Sequence, residues 1–216
     1  MSFDFPAPNR GTARIGVLVP FTNVNLEPDL AMLAPEGVRL HVARIGGYDA
    51  REVPDEAQMT GLGEARIEEP LAMIAGARPD VVIYGSTAAS FTHGAEFDRT
   101  LAEQVEAVTG APVVTAAGAV VRALARLGAR RVGIASPYVS ALNDLAERYL
   151  AEAGVGIVGR ADIGAALGNQ QQGALTPAEV VAMARRADAP EAEAVVLVGT
   201  DLRAVEAVEV AEAELG

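Results

Sequence analysis

Asp80-Val-Val-Ile-Tyr-Gly-Ser-Thr-Ala-Ala-Ser-Phe91 is the stretch of sequence that decides the fold. Its apolar run continues directly into a Gly-Ser-Thr turn, which is typical of a strand buried on both faces of a parallel sheet. Ligands of open α/β sheets bind just beyond the carboxyl ends of the strands. Ser86, Thr87 and Ser90 are therefore candidates for holding a small polar ligand. The same residues also suit a tight turn with an N-cap hydroxyl.

Strand-like and helix-like segments alternate along the rest of the chain. The other predicted strands cover 14–20, 38–45, 112–115, 131–137, 155–158 and 194–199. The predicted helices cover 64–77, 95–108, 119–127, 140–153, 177–187 and 202–215, and the Gly- and Gln-rich segment 164–176 is predicted to be a loop. This alternation predicts an α/β protein with parallel sheets.

An internal repeat divides the chain into two parts. Arg14-Ile-Gly-Val-Leu-Val-Pro-Phe21 is matched by Arg131-Val-Gly-Ile-Ala-Ser-Pro-Tyr138, and Val81-Val-Ile-Tyr-Gly-Ser86 is matched by Val195-Val-Leu-Val-Gly-Thr200. We therefore predict two pseudo-symmetric Rossmann-like halves, residues 1–116 and 117–216, with a ligand cleft between them. The segment 112–128 has no copy in the second half, so we expect a closing strand and helix to be missing from this sequence.

Composition excludes several classes of function. The chain has 216 residues, 50% of them hydrophobic, and a net charge of −12, with no cysteine and no lysine. Without cysteine there are no disulfides, thiolate metal sites or thiol catalysis, and without lysine there is no Schiff base or P-loop. The negative charge disfavours nucleic acid and anionic membranes. Two histidines are too few for a metal cluster, so we predict neither a metal nor a cofactor.

The sequence has no recognisable targeting signal. No apolar run approaches the ~20 residues that span a bilayer, and the N-terminal residues lack the pattern of a signal peptide. We therefore expect a cytoplasmic protein without membrane contact. The apolar composition is compatible with a homodimer.

Several motifs together resemble the aspartate/glutamate racemase superfamily. They are Tyr84-Gly-Ser-Thr-Ala-Ala-Ser-Phe91, Leu127-Gly-Ala-Arg-Arg-Val132, Ser136-Pro-Tyr-Val-Ser-Ala-Leu-Asn143 and Gly199-Thr-Asp-Leu-Arg203. Within it, the maleate cis–trans isomerases and arylmalonate decarboxylases are most similar, and the turn Pro20-Phe-Thr-Asn-Val-Asn-Leu-Glu27 resembles the isomerase branch. The resemblance implies two α/β halves that enclose a small dicarboxylate or related acid.

The resemblance also implies cysteines that this chain lacks. Isomerases and racemases of the superfamily use two thiols, and the arylmalonate decarboxylases keep only the second. Ser86 stands at the first position and Gly199 at the second, although the internal repeat pairs Ser86 with Thr200 instead. A serine needs an adjacent base to become a nucleophile, and His93 is a candidate for that base. Racemisation by two thiols is therefore not expected.

The ligand-binding positions of the resemblance are retained. It assigns Asn23, Thr87, Tyr138, Asn169 and Thr200 to carboxylate binding. Taken singly, the asparagines are compatible with turns, the tyrosine with a core position and the threonines with helix caps.

Two functions follow as hypotheses. The first is a cofactor-independent isomerase or decarboxylase, an isomerase/lyase of the maleate isomerase or arylmalonate decarboxylase type, acting on a small dicarboxylate. The second is a carboxylate-binding or pathway-accessory relative without catalysis, for example one with a role in ectoine breakdown.

Overall fold

The computed structural model describes residues 11–46, 57, 60, 67–163 and 165–216. The first sheet and the helices around it comprise β1 (Ala13–Pro20), α1 (Leu26–Leu33), β2 (Val38–Ile45), α2 (Glu68–Gly76), β3 (Val81–Tyr84), α3 (Thr87–His93), α4 (Ala95–Thr109), β4 (Val113–Thr115) and α5 (Ala116–Leu127). Helix α5 lies beyond the predicted boundary at 116/117 but contacts β4 and α3. The four strands form one parallel sheet in the order β2-β1-β3-β4, and α2 packs on β1 and β2. The apolar run of β3 is thus paired with a neighbour on each side.

The second half repeats this arrangement. It contains β5 (Arg131–Ser136), α6 (Ser140–Glu152), β6 (Gly156–Asp162), α7 (Asn169–Gly173), α8 (Pro177–Ala187), β7 (Ala194–Leu197) and α9 (Ala204–Leu215). The described strands form a second parallel sheet in the order β6-β5-β7, covered by α8. The predicted α/β fold with two parallel sheets is confirmed, and β5, β6 and β7 take the places of β1, β2 and β3.

Matching hydrogen bonds of an acidic residue with the backbone mark the repeat at the amino ends of the central strands. The backbone amide of Arg14 donates to Asp80 Oδ2 at 2.7 Å, and the amide of Arg131 donates to Glu193 Oε2 at 2.9 Å. In return, the amides of Asp80 and Glu193 each donate to the carbonyl of the corresponding arginine at 2.8 Å. An acidic residue just before β3 and β7 thus joins each strand to the central strand of its sheet.

One apolar cluster extends through both halves. It joins first-sheet residues such as Tyr84 with second-sheet residues such as Ile134, and α3 packs directly against α6. Across that contact the rings of Phe91 and Tyr149 lie 5.2 Å apart, and the Tyr149 hydroxyl donates to Asp98 Oδ2 at 2.8 Å. Burial of this continuous surface is the main force that holds the two sheets together.

Three local predictions differ from the structure. Segment 164–176, predicted to be a loop, contains the short helix α7, whose Gln-rich residues lack the apolar spacing that marks longer helices. A separate helix, α3, begins directly after Ser86 and was not predicted. Strand β6 continues to Asp162 rather than ending near 158.

Candidate functional site

The strand register shows which residues of the two halves are equivalent. The amide that follows β3, that of Gly85, donates to the β1 carbonyl opposite it at 2.8 Å. The amide that follows β7, that of Val198, donates to the equivalent β5 carbonyl at the same distance. Ser86 therefore corresponds to Gly199, and pairing it with Thr200 by the internal repeat was wrong by one residue. The internal repeat aligned Gly85 with Gly199, whereas the hydrogen bonds between the strands align Gly85 with Val198.

Ser86 is buried and caps a helix. Its Oγ accepts a hydrogen bond from the amide of Ala89 at 3.3 Å, and its carbonyl accepts one from Ser90 Oγ at 3.3 Å. The N-cap interpretation of the Gly-Ser-Thr turn is therefore correct for this residue. The position at the carboxyl end of β3 is also the one where α/β proteins place ligands, so capping and ligand contact are compatible.

His93 has partners other than Ser86. It ends α3, where its Nε2 lies 3.1 Å from the carbonyl of Thr60 and its ring stacks on Phe97 at 4.8 Å. Ser86, at the opposite end of the helix, has an amide as its polar neighbour. The geometry therefore gives no support to His93 as the base that activates Ser86.

Tyr138 connects the two strand ends. Its hydroxyl lies 3.3 Å from Thr87 Oγ1, next to Ser86, and both side chains are buried. It also lies 3.4 Å from the position that a β carbon on Gly199 would occupy, beside the ring of Pro137. The site thus contains a pair of hydroxyl groups, of which the Tyr138 hydroxyl adjoins the position that a side chain at 199 would occupy.

The Tyr138 phenol remains protonated at neutral pH. Burial raises the pKa of Tyr138 to about 12, the hydrogen bond with Thr87 opposes this, and the charge of Asp201 adds to it. The group is therefore a hydrogen-bond donor and a weak acid in this environment.

Gly199 has a backbone conformation that favours glycine. Its φ of +121° is rarely adopted by residues with a side chain. A β carbon would contact Pro137 and Tyr138 at ordinary van der Waals distances, so the obstacle to cysteine at 199 is backbone strain rather than lack of space. Such strain is of order 1–3 kcal/mol.

Asn23 and Thr200 connect the two halves by hydrogen bonds. Asn23 Nδ2 donates to Thr200 Oγ1 at 3.0 Å, and the Thr200 hydroxyl donates to the carbonyl of Gly85 at 2.9 Å. Asn23 Oδ1 accepts from the amides of Asn25 and Leu26 at 3.2 and 2.9 Å. The structure therefore brings both residues to the strand ends, with their polar atoms bonded to protein groups.

Asp201 is a site residue that sequence reasoning missed. Its Oδ1 accepts from the amides of Val24 and Asn25 at 2.8 and 3.0 Å, and its carbonyl accepts from Asn25 Nδ2 at 2.7 Å. Burial raises the pKa of Asp201, while the two amides and the charge of Arg44 lower it. The acidic residue directly after Thr200 was the available signal. We call these contacts of Asn23, Val24 and Asn25 with Thr200 and Asp201 the inter-half clamp.

Asn169 is the first residue of α7 and is half-buried. The other end of this helix joins the inter-half clamp, because the carbonyl of Gly173 accepts from Asn25 Nδ2 at 2.8 Å. The helix is thus anchored beside the site, and ligand contact by Asn169 stays a prediction.

Metal-binding clusters and membrane-spanning helices are absent from the described residues. No group of three or more His, Asp or Glu side chains in ranges 11–46, 67–163 and 165–216 is arranged to hold a metal ion. No described helix combines the length and apolarity needed to cross a bilayer.

Comparison with known proteins shows the family. A family model for arylmalonate decarboxylase matches residues 15–216. The chain belongs to the arylmalonate decarboxylase family. The resemblance inferred from the motifs is therefore confirmed for the maleate isomerase and arylmalonate decarboxylase branch.

Individual relatives of this family member are isomerases and decarboxylases. Arylmalonate decarboxylase from Bordetella bronchiseptica is 30% identical over 203 residues, which cover 92% of this chain and 78% of the relative. Maleate isomerase from Nocardia farcinica is 30% identical over 216 residues, with 95% and 84% covered. Homology thus indicates an enzyme of the isomerase or lyase kind.

A solved structure of similar fold contains a covalent cysteine intermediate of a maleate isomerase. It is a cysteine-to-serine variant of the Nocardia farcinica isomerase with a covalently bound succinylcysteine intermediate. It is 28% identical, has a TM-score of 0.84, and covers 94% of this chain and 85% of its own. The chain of 216 residues contains no cysteine, so a covalent cysteine intermediate cannot form on it.

Proposed function

We propose that this protein is a cofactor-independent decarboxylase of small malonate-type dicarboxylates, with Ser86 and Gly199 in place of the two family cysteines. The observation that carries the proposal is the buried hydroxyl pair of Thr87 and Tyr138 at the strand ends, with the Tyr138 oxygen 3.4 Å from the β-carbon position of Gly199. Loss of CO2 from a malonate needs hydrogen bonds to one carboxylate, a poorly solvated place for the other, and a proton source. It needs no nucleophile.

The hydroxyl groups supply the first requirement. Thr87, Tyr138 and the neighbouring Ser86 are held in place by hydrogen bonds and buried packing, so they need little reorganisation when charge develops on a bound carboxylate. Decarboxylation moves negative charge into this carboxylate as an enediolate forms. Preorganised donors therefore stabilise the transition state more than the substrate.

The apolar wall beside Gly199 supplies the second requirement. The ring of Pro137 borders the space that a side chain at 199 would occupy, with its Cδ and Cγ 3.4 and 3.5 Å from the β-carbon position. A carboxylate held against the Pro137 ring, on the side away from the Tyr138 hydroxyl, loses hydration and gains little in return, whereas CO2 is neutral. The site thus favours departure of CO2.

Isomerisation of a double bond is less well supported by the same geometry. Rotation about the bond needs covalent addition of a nucleophile, and the hydroxyl of Ser86 has the amide of Ala89 as its polar neighbour rather than a base. Decarboxylation is therefore the branch of family chemistry that suits a chain without thiols.

The test compares Thr87→Val with Thr92→Val. Both variants are nearly isosteric and lie on α3, but the Thr92 hydroxyl donates to the carbonyl of Ala88 within the helix. With phenylmalonate as the probe, we expect kcat/KM for CO2 release to fall about 10²-fold in Thr87→Val, the loss typical of one oxyanion donor. Thr92→Val is expected to retain the native rate.

Three results would contradict the proposal. Equal rates in the two variants would remove the hydroxyl pair from the reaction. Conversion of maleate to fumarate without CO2 release from malonates would indicate an isomerase. Thermal stabilisation by malonates without any turnover would indicate the carboxylate-binding alternative.

The cytoplasmic location and a homodimeric state stay predictions.

A further inference from the structure

We propose that Tyr138 is the catalytic acid that delivers a proton to the carbon from which CO2 has left. This inference rests on the proposed decarboxylase function and names a residue that completes the reaction. Its basis is the position of the Tyr138 hydroxyl beside the vacant side-chain space of Gly199, opposite the other strand end.

The choice of Tyr138 follows from a comparison of the hydroxyl groups at the strand ends in the described part of the chain. Thr200 already donates its hydroxyl proton to the carbonyl of Gly85. Ser86 and Thr87 are aliphatic alcohols, which are weaker acids than a phenol. Burial raises the pKa of Tyr138 to about 12, yet the phenol remains the strongest acid of this group.

Glycine at 199 leaves the Tyr138 hydroxyl without a side chain beside it at this strand end. A β carbon at 199 would lie 3.4 Å from the Tyr138 hydroxyl, which is a contact distance for carbon and oxygen. Because Gly199 has no side chain, a ligand can pack against its α carbon on this side, next to the Tyr138 hydroxyl. A side chain at this position would separate the phenol from the ligand.

The proton transfer balances without a cofactor. The bond from the α carbon to the departing carboxylate breaks, its electron pair passes into the remaining carboxylate as an enediolate, and CO2 leaves. The O–H bond of Tyr138 then breaks as a C–H bond forms at the α carbon. Thr87 donates a hydrogen bond to the resulting phenolate, which takes a proton from water and leaves hydroxide for the released CO2 to consume.

A fixed acid predicts a stereochemical result that a mere carboxylate ligand does not. Tyr138 reaches the planar enediolate from one side, so a prochiral malonate yields one enantiomer. The probe is 2-methyl-2-phenylmalonate, with CO2 release and the enantiomeric composition of 2-phenylpropionate measured separately. In Tyr138→Phe we expect racemic product, because water then supplies the proton, and product formation about 10²-fold slower, as for loss of a general acid.

Tyr149→Phe is the matched control. It removes the same atom from another buried tyrosine, whose hydroxyl donates to Asp98 on α4 instead of contacting Thr87. This variant is expected to retain the native enantiomer. Circular dichroism and thermal unfolding of both variants separate loss of the acid from loss of the fold.

The possible outcomes separate this inference from the proposed function. Racemic product from Tyr138→Phe together with one enantiomer from Tyr149→Phe supports the inference. CO2 release with the native enantiomer retained in Tyr138→Phe overturns it and leaves the decarboxylase proposal intact. No CO2 release from the native protein on any malonate overturns both.

Discussion

Replacing Asp201 with alanine is expected to loosen the inter-half clamp and lower the stability of the whole protein. The Asp201 carboxylate accepts two backbone amides of the opposite half, from Val24 and Asn25. Hydrogen bonds to a charged group contribute about 1.5–3 kcal/mol each. Partial exposure of the carboxylate and the desolvation that raises its pKa reduce this sum. We therefore expect a loss of about 2 kcal/mol.

Thermal and chemical unfolding measure this loss. For chains of 150–250 residues 1 kcal/mol corresponds to about 2–4 °C, so Tm should fall by about 4–8 °C. Asp188→Ala is the matched control, because this aspartate is exposed at the end of α8. Its effect should lie within about 0.5 kcal/mol of zero. Asp201→Asn retains an acceptor oxygen and should be less destabilising than Asp201→Ala.

Amide hydrogen exchange tests the cause of the change. The amides of Val24 and Asn25 should exchange at least tenfold faster in Asp201→Ala, while amides in the centre of β5 should change only with global stability. Equal Tm shifts in Asp201→Ala and Asp188→Ala, or unchanged protection of Val24 and Asn25, would refute the reasoning.

Two further predictions concern stability. Burial, followed by the charge of Glu206, raises the pKa of Asp29 from its usual 3.8 to about 6, so the folded protein binds this proton more tightly than the unfolded chain. The free energy of unfolding should therefore fall as pH rises from about 4 to 6. In urea unfolding, Asp29→Asn should be about 1 kcal/mol more stable than the native protein at pH 7 but not at pH 4. Gly133→Ala would place a β carbon 2.2 Å from the carbonyl oxygen of Ala187, so its free energy of unfolding should fall by about 3 kcal/mol or more. A β carbon at Gly76 would meet no atom within 4 Å, so Gly76→Ala should be more stable by up to about 1 kcal/mol.

The parallel sheets could be predicted from sequence because their strands are short apolar runs between turn residues. Burial on both faces imposes that pattern directly, and β3 shows it over Val81–Tyr84. Helix α7 could not be predicted, since it consists of Asn169–Gly173 and is anchored by a tertiary contact of its last residue. Short helices of this kind depend on their surroundings more than on their own sequence.

The site was predictable only in part. Ser86, Thr87 and Gly199 follow strands, so their location is a consequence of topology. The sequence indicates Asp201 only by an acidic residue directly after Thr200, because its partners, the amides of Val24 and Asn25, lie far away along the chain. Backbone donors have no sequence signature, and only the folded chain shows which carboxylate they bind.

The apolar cluster that passes through both sheets has a consequence for how ligands reach the site. Because Phe91 and Tyr149 pack together across the α3–α6 contact, rotating the halves apart about a hinge would expose this surface to water. Such exposure is costly at about 25 cal/mol per Å². Admission of a ligand to the strand ends therefore requires local rearrangement there rather than separation of the halves, and calorimetry should record a single heat-absorption peak rather than one for each half.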